Sequence, residues 1–146
     1  MGWVVLERFA MPILAEGDAE PNDTFIEQVV ANAEAAVNEL CRRGVAARGS
    51  IAVGGHSYGA FMTAHLLAHT DLFCAGIARS GAYNRTLTPM GFQAEERDYW
   101  KVPHVYHKLS PFSYALELAV RRAPLLLIHG DNDPNAGTHS MQSERM

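Results

Sequence analysis

Residues 51–61 constrain the fold of this 146-residue chain more than any other stretch. The stretch begins with a short apolar run that predicts a buried strand, and apolar residues at helical spacing follow it. Between the two, Gly55, Ser57 and Gly59 form the pattern G-x-S-x-G. A strand, a tight turn and a helix around this pattern predict a nucleophile elbow, in which a strained turn presents the serine.

The fixed residues of this pattern have physical tasks. We expect side chains at Gly55 and Gly59 to collide with the neighbouring strand and helix, so both positions require glycine. Ser57 then stands at the head of the helix, where the amide of Tyr58 faces the charge that develops on a substrate oxygen. Three fixed letters also occur by chance in a glycine-rich chain, but the flanking strand and helix favour the elbow.

The clearest helix of the sequence begins near Thr24. Thr24 and Glu27 have the spacing of a capping box, and Asp23 is a rival cap. Apolar residues then recur at helical spacing as far as Cys41, and Gly44 suits the position just past the helix end.

The other apolar runs alternate between strand-like and helix-like patterns. Strands are predicted at 3–6, 51–54, 73–78 and 124–130, and a helix at about 110–120. This order predicts right-handed crossovers and a parallel sheet, hence an α/β fold. Residues 80–109 form a long irregular connection in which 93–100 are a candidate helix, and long insertions usually carry function.

Charge and composition exclude several classes of partner. The net charge of −4 argues against nucleic acid and anionic membranes, and no apolar run approaches the ~20 residues of a membrane span. Cys41 and Cys74 are expected to be buried free thiols rather than a disulfide. His65 and His69 are four positions apart, but the glutamate of H-E-x-x-H is absent. We therefore expect no metal and no cofactor.

The chemistry of a serine nucleophile requires an acid and a base. Reactive groups gather beyond the carboxyl ends of parallel strands, and both Ser57 and Asp133 follow predicted strands. Asp131 competes with Asp133, and either residue also suits an ordinary turn. His139 comes soon after Asp133 and is a less favoured candidate for the base.

The chain resembles the catalytic domain of the prolyl oligopeptidase family of serine peptidases, and more narrowly its glutamyl endopeptidase branch, known from plastids. The resemblance is carried by residues 51–64, 76–89, 109–112, 126–130 and 141–145. It implies that residues 1–146 are a partial α/β-hydrolase domain, with the early strands, the final strand and the β-propeller missing. A strand that belongs between 3–6 and 51–54 is then also missing. Either a gap stays open in the sheet at that place, or the two strands collapse together.

The resemblance also implies roles for individual residues. Ser57 is the nucleophile, the amide of Tyr58 is one oxyanion donor, and Asp133 is the acid. The second oxyanion donor lies upstream of the chain and the catalytic histidine lies downstream. Arg85 is a candidate to bind a substrate glutamate, because a guanidinium pairs well with a carboxylate. The alternative is a structural ion pair with Glu95 or Glu96.

The function implied is peptide hydrolysis through an acyl-enzyme, possibly after glutamate, with a peptide as the partner and little activity for this chain alone. The alternatives are a carboxylesterase of the same fold and a non-catalytic fragment that binds a partner through an open sheet edge. A soluble protein of the plastid stroma is expected in a plant or alga, and of the cytoplasm elsewhere. The oligomeric state is left open.

Overall fold

Three parallel strands form the sheet in the part of the chain that the computed structural model describes, residues 2–7 and 9–146. The strands are β1 (Ala52–His56), β2 (Ala75–Arg79) and β3 (Leu125–Ile128), and they lie in the order β1-β2-β3. The register places Ile77 of β2 between Gly54 and Leu126. The predicted strands at 51–54, 73–78 and 124–130 are therefore confirmed, as is the parallel sheet.

Helices connect and flank these strands. They are α1 (Phe25–Arg42), α2 (Tyr58–His69), α3 (Pro103–Lys108), α4 (Ala115–Arg121) and α5 (Met141–Glu144). Short 3-10 turns occupy Pro21–Thr24, Arg85–Leu87, Pro111–Tyr114 and Ala136–Thr138. The predicted helix at 110–120 corresponds to one of these turns followed by α4. The order β1-α2-β2 gives the crossover that the sequence predicts.

The core lies between α2 and its neighbours. Most of α2 is buried, because the helix packs on one face of the sheet and is covered by α1 and α4. Gly76 permits this close packing, since a Cβ there would lie 2.5 Å from Cδ1 of Leu67. The other face of the sheet exposes large apolar side chains, namely Ile77, Leu126 and Ile128.

The start of α1 differs from the predicted capping box. Thr24 ends a 3-10 turn, and its hydroxyl accepts a hydrogen bond from the side chain of Gln28 (2.8 Å) instead of capping α1. The carboxylate of Asp23 accepts the amide hydrogen of Glu20 (3.1 Å), so it caps that turn. The end of α1 is as predicted, because Gly44 has a φ of 69° just past the helix.

The strand predicted at 3–6 is wrong. These residues have no regular secondary structure, and Trp3 is 95% exposed. Within the described residues β1 pairs only with β2, so its other edge is open. An apolar run has the side chains of a strand, but a strand forms only where another strand supplies hydrogen-bond partners.

The candidate helix at 93–100 is also wrong. Phe92 and Glu95 exchange backbone hydrogen bonds (3.1 and 2.8 Å), and Ala94 between them has a φ of 59°. This left-handed conformation ends any right-handed helix at that point. The helical part of the segment lies further on, in α3, which the sequence analysis did not predict.

Two smaller features are the state of the cysteines and the character of the helices. Both cysteines are free, as expected, but Cys74 is exposed and Cys41 only partly buried, so the prediction of two buried thiols is wrong. Cys74 precedes β2 instead of lying within it. No helix among the described residues combines the length and apolar character that crossing a membrane requires.

Candidate active site

Ser57 occupies the turn between β1 and α2. Its backbone angles, φ 57° and ψ −113°, belong neither to a strand nor to a helix. The Ser57 amide donates to the carbonyl of Arg79 (2.8 Å), and the Ser57 carbonyl accepts from the amides of Ala60 and Phe61 (both 3.1 Å). The turn therefore ends a strand and starts a helix at one residue, and this partly exposed serine lies in the predicted strand–turn–helix context.

The two glycines of the pattern serve this turn unequally. A Cβ at Gly55 would lie 2.5 Å from the carbonyl carbon of Gly59, so a side chain there is excluded. A Cβ at Gly59 would meet nothing within 4 Å. The predicted collision is confirmed for Gly55 and wrong for Gly59, because Gly59 contributes its backbone to the contact while its own Cβ position points into open space.

A cavity of about 330 Å³ opens beside the turn. Its walls include Ser57, Tyr58, Arg85, Phe92, Asn135 and Thr138. Tyr58 is the first residue of α2, so its amide has no acceptor four residues earlier within the helix. The positive end of α2 thus lies at the same cavity as the serine, which favours negative charge there.

Arg85 lies in the wall of this cavity as a buried cation. Its guanidinium carbon is 4.0 Å from the ring centroid of Phe61 and 4.8 Å from that of Phe92, and the residue is 6% exposed. Burial lowers the pKa of Arg85 to about 10, which leaves the side chain charged near neutral pH. Its Nε is buried without a hydrogen-bond partner.

The structure does not support the alternative in which Arg85 pairs with Glu95 or Glu96. Glu95 is bound by Arg97, whose Nε lies 2.7 Å from its carboxylate, and Glu96 is exposed. Among the described residues, no ion pair involves Arg85. A buried charge without a partner is costly, by several kcal/mol in general, so this arrangement favours a ligand that brings an anion.

Asp133 lies just past the carboxyl end of β3. Its Oδ1 accepts the amide hydrogen of Asn135 (2.9 Å), and its Oδ2 accepts the hydroxyl of Thr138 (3.3 Å). The hydrogen bond from Asn135 is the main reason that the pKa of Asp133 is lowered. Asn135 and Thr138, the two donors to Asp133, line the cavity, but Asp133 itself does not. Asp131, the competing candidate, is exposed.

The structure thus brings Ser57, Tyr58 and Arg85 to one cavity, together with the loop that carries Asp133. The histidines do not complete this set. His139 is exposed, and its Nδ1 accepts the amide hydrogen of Met141 (3.2 Å). No hydrogen bond joins a histidine to Ser57 within the described residues.

His129 is the residue of this region that sequence reasoning left without a role. It follows β3 directly, and its side chain contacts Ser143, Thr138 and Asp133. The signal in the sequence was a polar residue at the end of an apolar strand, immediately before the loop with the acid.

The pair His65 and His69 belongs to the core and its edge. The ring of His65 is fully buried, with centroids 4.7 Å from Phe61 and 5.5 Å from Phe25, and burial lowers its pKa to about 3. His69 lies in the last turn of α2. In the described part of the chain, no three His, Cys, Asp or Glu side chains converge as metal ligands would.

Comparison with known sequences gives extensive similarity. A model of the prolyl oligopeptidase family matches residues 22–144. A probable chloroplastic glutamyl endopeptidase of Arabidopsis thaliana is 59% identical over 144 residues, which are 98% of this chain and 15% of that protein. A protein of the same description from Oryza sativa subsp. japonica is 57% identical over 145 residues, 99% of this chain and 15% of that protein. The chain therefore spans 15% of the length of these two relatives.

Solved structures agree with the fold. A crystal structure of puromycin hydrolase matches with a TM-score of 0.66 at 25% identity, over 81% of this chain and 18% of that one. Pyrococcus horikoshii acylaminoacyl peptidase matches with a TM-score of 0.64 at 28% identity, over 85% of this chain and 20% of that one. The predicted α/β class, a parallel sheet with flanking helices that matches part of an α/β-hydrolase peptidase, is confirmed.

Proposed function

Since the chain belongs to the prolyl oligopeptidase family of serine peptidases, we propose that Ser57 is the nucleophile of a peptide-bond hydrolysis. The observation that carries the proposal is the backbone of Ser57, which places the residue at the head of α2 beside the cavity. The hydroxyl attacks the peptide carbonyl, the amine leaves with a proton, and water then cleaves the acyl-enzyme. The amide of Tyr58 donates to the oxyanion of the tetrahedral intermediate.

Asp133 is the acid of this proposed site. Its lowered pKa keeps the carboxylate charged near neutral pH, as orienting a histidine requires. Because no described histidine contacts Ser57, a histidine outside these residues is the proposed base. Without a base the hydroxyl has little activation, so the chain alone is expected to be nearly inactive.

Arg85 is the proposed binding residue for the substrate side chain before the scissile bond. Support comes from a buried cation in the wall of the cavity with no acid partner among the described residues. A glutamate side chain brings the missing carboxylate, and both groups lose water together. The two plant relatives carry the description of glutamyl endopeptidases, which agrees with an acidic substrate. An esterase for uncharged acyl groups has no use for this cation.

A fluorophosphonate probe tests the nucleophile. We expect labelling of the 146-residue chain to stay near that of the control Ser57→Ala, because no histidine among the described residues contacts Ser57. Adding back a histidine-bearing segment from a longer relative in trans is expected to restore labelling at Ser57 alone. Strong labelling without that segment would show that a base is already present, and labelling at another residue would overturn the nucleophile.

Binding of cleavage products tests Arg85 without requiring turnover. A short peptide that ends in glutamate is expected to bind about tenfold more tightly than the same peptide ending in glutamine, since a charge-assisted hydrogen bond contributes about 1.5–3 kcal/mol. Arg85→Met should remove this preference, whereas the matched variant Arg97→Met should keep it in the folded fraction. Equal binding of the two peptides by the wild-type chain would contradict the proposal.

A further inference from the structure

His129 lies between β3 and the loop that carries Asp133. Its side chain is only 6% exposed, and both ring nitrogens have partners. Nδ1 is 2.6 Å from the hydroxyl oxygen of Ser143, and Nε2 is 2.5 Å from the carbonyl oxygen of Thr138. The same Nε2 lies 3.3 Å from Oδ2 of Asp133.

These partners determine which nitrogen carries the hydrogen. Nε2 faces a carbonyl oxygen and a carboxylate oxygen, and neither has a hydrogen to donate, so Nε2 is the N–H donor. In the neutral ring, Nδ1 is then an acceptor, and the hydroxyl of Ser143 donates to it. Both nitrogens are therefore engaged, and His129 has none left to act as a base for Ser57.

We propose that His129 is a positioning residue for Asp133. Its Nε2–H holds the Thr138 carbonyl and the Asp133 carboxylate together, and its Nδ1 connects both to Ser143 on α5. This inference rests on the role proposed above for Asp133.

The acid loop needs such a connection because its own hydrogen bonds are local. The donors from Asn135 and Thr138 lie two and five positions from Asp133, so they shape the loop without attaching it to the sheet. His129 supplies the attachment, since it continues directly from β3 and reaches α5 through Ser143. A buried imidazole with both nitrogens bonded has one orientation, which it imposes on the carboxylate.

Helix α5, whose Ser143 binds His129, is also hydrogen-bonded to the cavity wall that includes Arg85. Gln142, next to Ser143, accepts the amide hydrogens of Tyr83 (3.0 Å) and Asn84 (2.8 Å). Its side-chain amide donates to the carbonyl oxygens of Asn84 (3.2 Å) and Gly137 (3.4 Å). Helix α5 therefore connects the hydrogen bonds of His129, which hold Asp133, to the residues just before Arg85.

The tautomer of His129 is the first test. In long-range ¹H–¹⁵N NMR spectra of the 146-residue chain, we expect the neutral form of the His129 ring to carry its hydrogen on Nε2. A ring with the hydrogen on Nδ1, or a mixture of tautomers like that of an exposed histidine, would overturn the proposal. This measurement requires no substitution and no peptidase activity.

Two substitutions then separate positioning from packing. His129→Gln keeps a donor near the place of Nε2, whereas His129→Asn is shorter and reaches only the place of Nδ1. The ¹³C carboxyl titration of Asp133 should keep its midpoint in His129→Gln and move to higher pH in His129→Asn, because a donor to the carboxylate is lost. Asp131 is the internal reference, and His104→Asn, at an exposed histidine, is the matched control.

An unchanged Asp133 midpoint in His129→Asn, or equal shifts in both variants, would overturn the proposal. If His129→Asn does not fold, Ser143→Ala serves instead, because it removes the hydroxyl that donates to Nδ1. We expect Ser143→Ala to broaden the NMR signals of His129 and to move the carboxyl ¹³C shift of Asp133. No change in either signal would count against the proposed role of His129. If the added histidine-bearing segment did not restore labelling at Ser57, the proposed peptidase function would be weakened, and these spectra would be unaffected.

Discussion

Two arginines of the long connection between β2 and α4 have opposite surroundings. Arg97 is bound by two carboxylates, with its Nε 2.7 Å from Glu95 and its Nη2 2.8 Å from Asp23. Arg85 is more deeply buried and lies between the rings of Phe61 and Phe92, with no carboxylate partner among the described residues.

The two arginines therefore differ in whether the fold itself balances their charge. Arg97, Glu95 and Asp23 form a cluster of opposite charges, the Arg97 cluster. The cluster joins the irregular segment to the start of α1, so the fold alone accounts for it. The site of Arg85 costs stability, and two cation–π contacts, each worth about 0.5–2 kcal/mol, offset only part of that cost. An unpaired buried cation at a cavity is what a site for an anionic side chain requires before the ligand arrives.

We expect the largest loss of stability from a substitution that breaks the Arg97 cluster. Arg97→Met leaves the carboxylate of Glu95, which is 2% exposed, without its main partner. Breaking a buried pair from one side costs about 3–5 kcal/mol, so urea unfolding should show a loss of that size. Adding Glu95→Gln should recover part of the loss. A change below about 1 kcal/mol would show that the cluster is not the support described here.

The pH dependence of stability tests a third buried basic side chain, His65, beside the two arginines. Burial lowers the pKa of His65 to about 3 in the folded chain, below the ordinary 6.5 of an unfolded histidine. The unfolded state therefore binds this proton first, and stability is lost as the pH falls from 6.5 towards 3. The loss is about 2–3 kcal/mol at pH 4.5 by linkage.

Urea unfolding of His65→Leu measures this effect. Between pH 6.5 and 4.5 the free energy of unfolding should fall less in the variant than in the wild-type chain, and His69, whose pKa burial also lowers, accounts for a remaining decline. Glu95 acts at lower pH: burial raises its pKa, but the hydrogen bonds of Arg97 outweigh burial and lower it, so its contribution is lost only below about 4.5. Equal slopes above pH 4.5 in the variant and the wild type would exclude His65 as the cause.

The matched change at the other arginine should act in the opposite direction. Arg85→Met removes a buried charge that has no partner and keeps an apolar side chain between two rings. We expect unchanged stability or a gain of about 1 kcal/mol in the urea experiment. A loss as large as that of Arg97→Met would mean that Arg85 has a structural partner, and the comparison would fail.

The smallest effect is expected at the protein surface. Arg42 lies 2.7 Å from Glu39, but both side chains are largely exposed. Solvent and salt screen such pairs, so Arg42→Met should leave the urea midpoint within experimental error. A clear loss there would show that the urea midpoint responds to the loss of any arginine, and not only of a buried one.

Local patterns were sufficient where neighbours in the chain determine the structure. Strand β1, the turn at Ser57 and the start of helix α2 follow from residues 51–61, and Gly44 ends α1 as its position predicts. Predictions failed where a distant partner decides. Residues 3–6 have no neighbouring strand, and Ala94, which adopts a left-handed conformation, accepts a hydrogen bond from the side chain of Asn22.

The sequence by itself determined the α/β class, the strand–turn–helix context of Ser57 and the family. Only the tertiary structure decided which arginine is paired and which histidine contacts Asp133. Arg97 meets Asp23 across 74 positions, and Gln142 meets Tyr83 across 59. Charge balance and hydrogen-bond satisfaction depend on such distant partners, because burial makes an unpaired group costly wherever its partner lies in the chain.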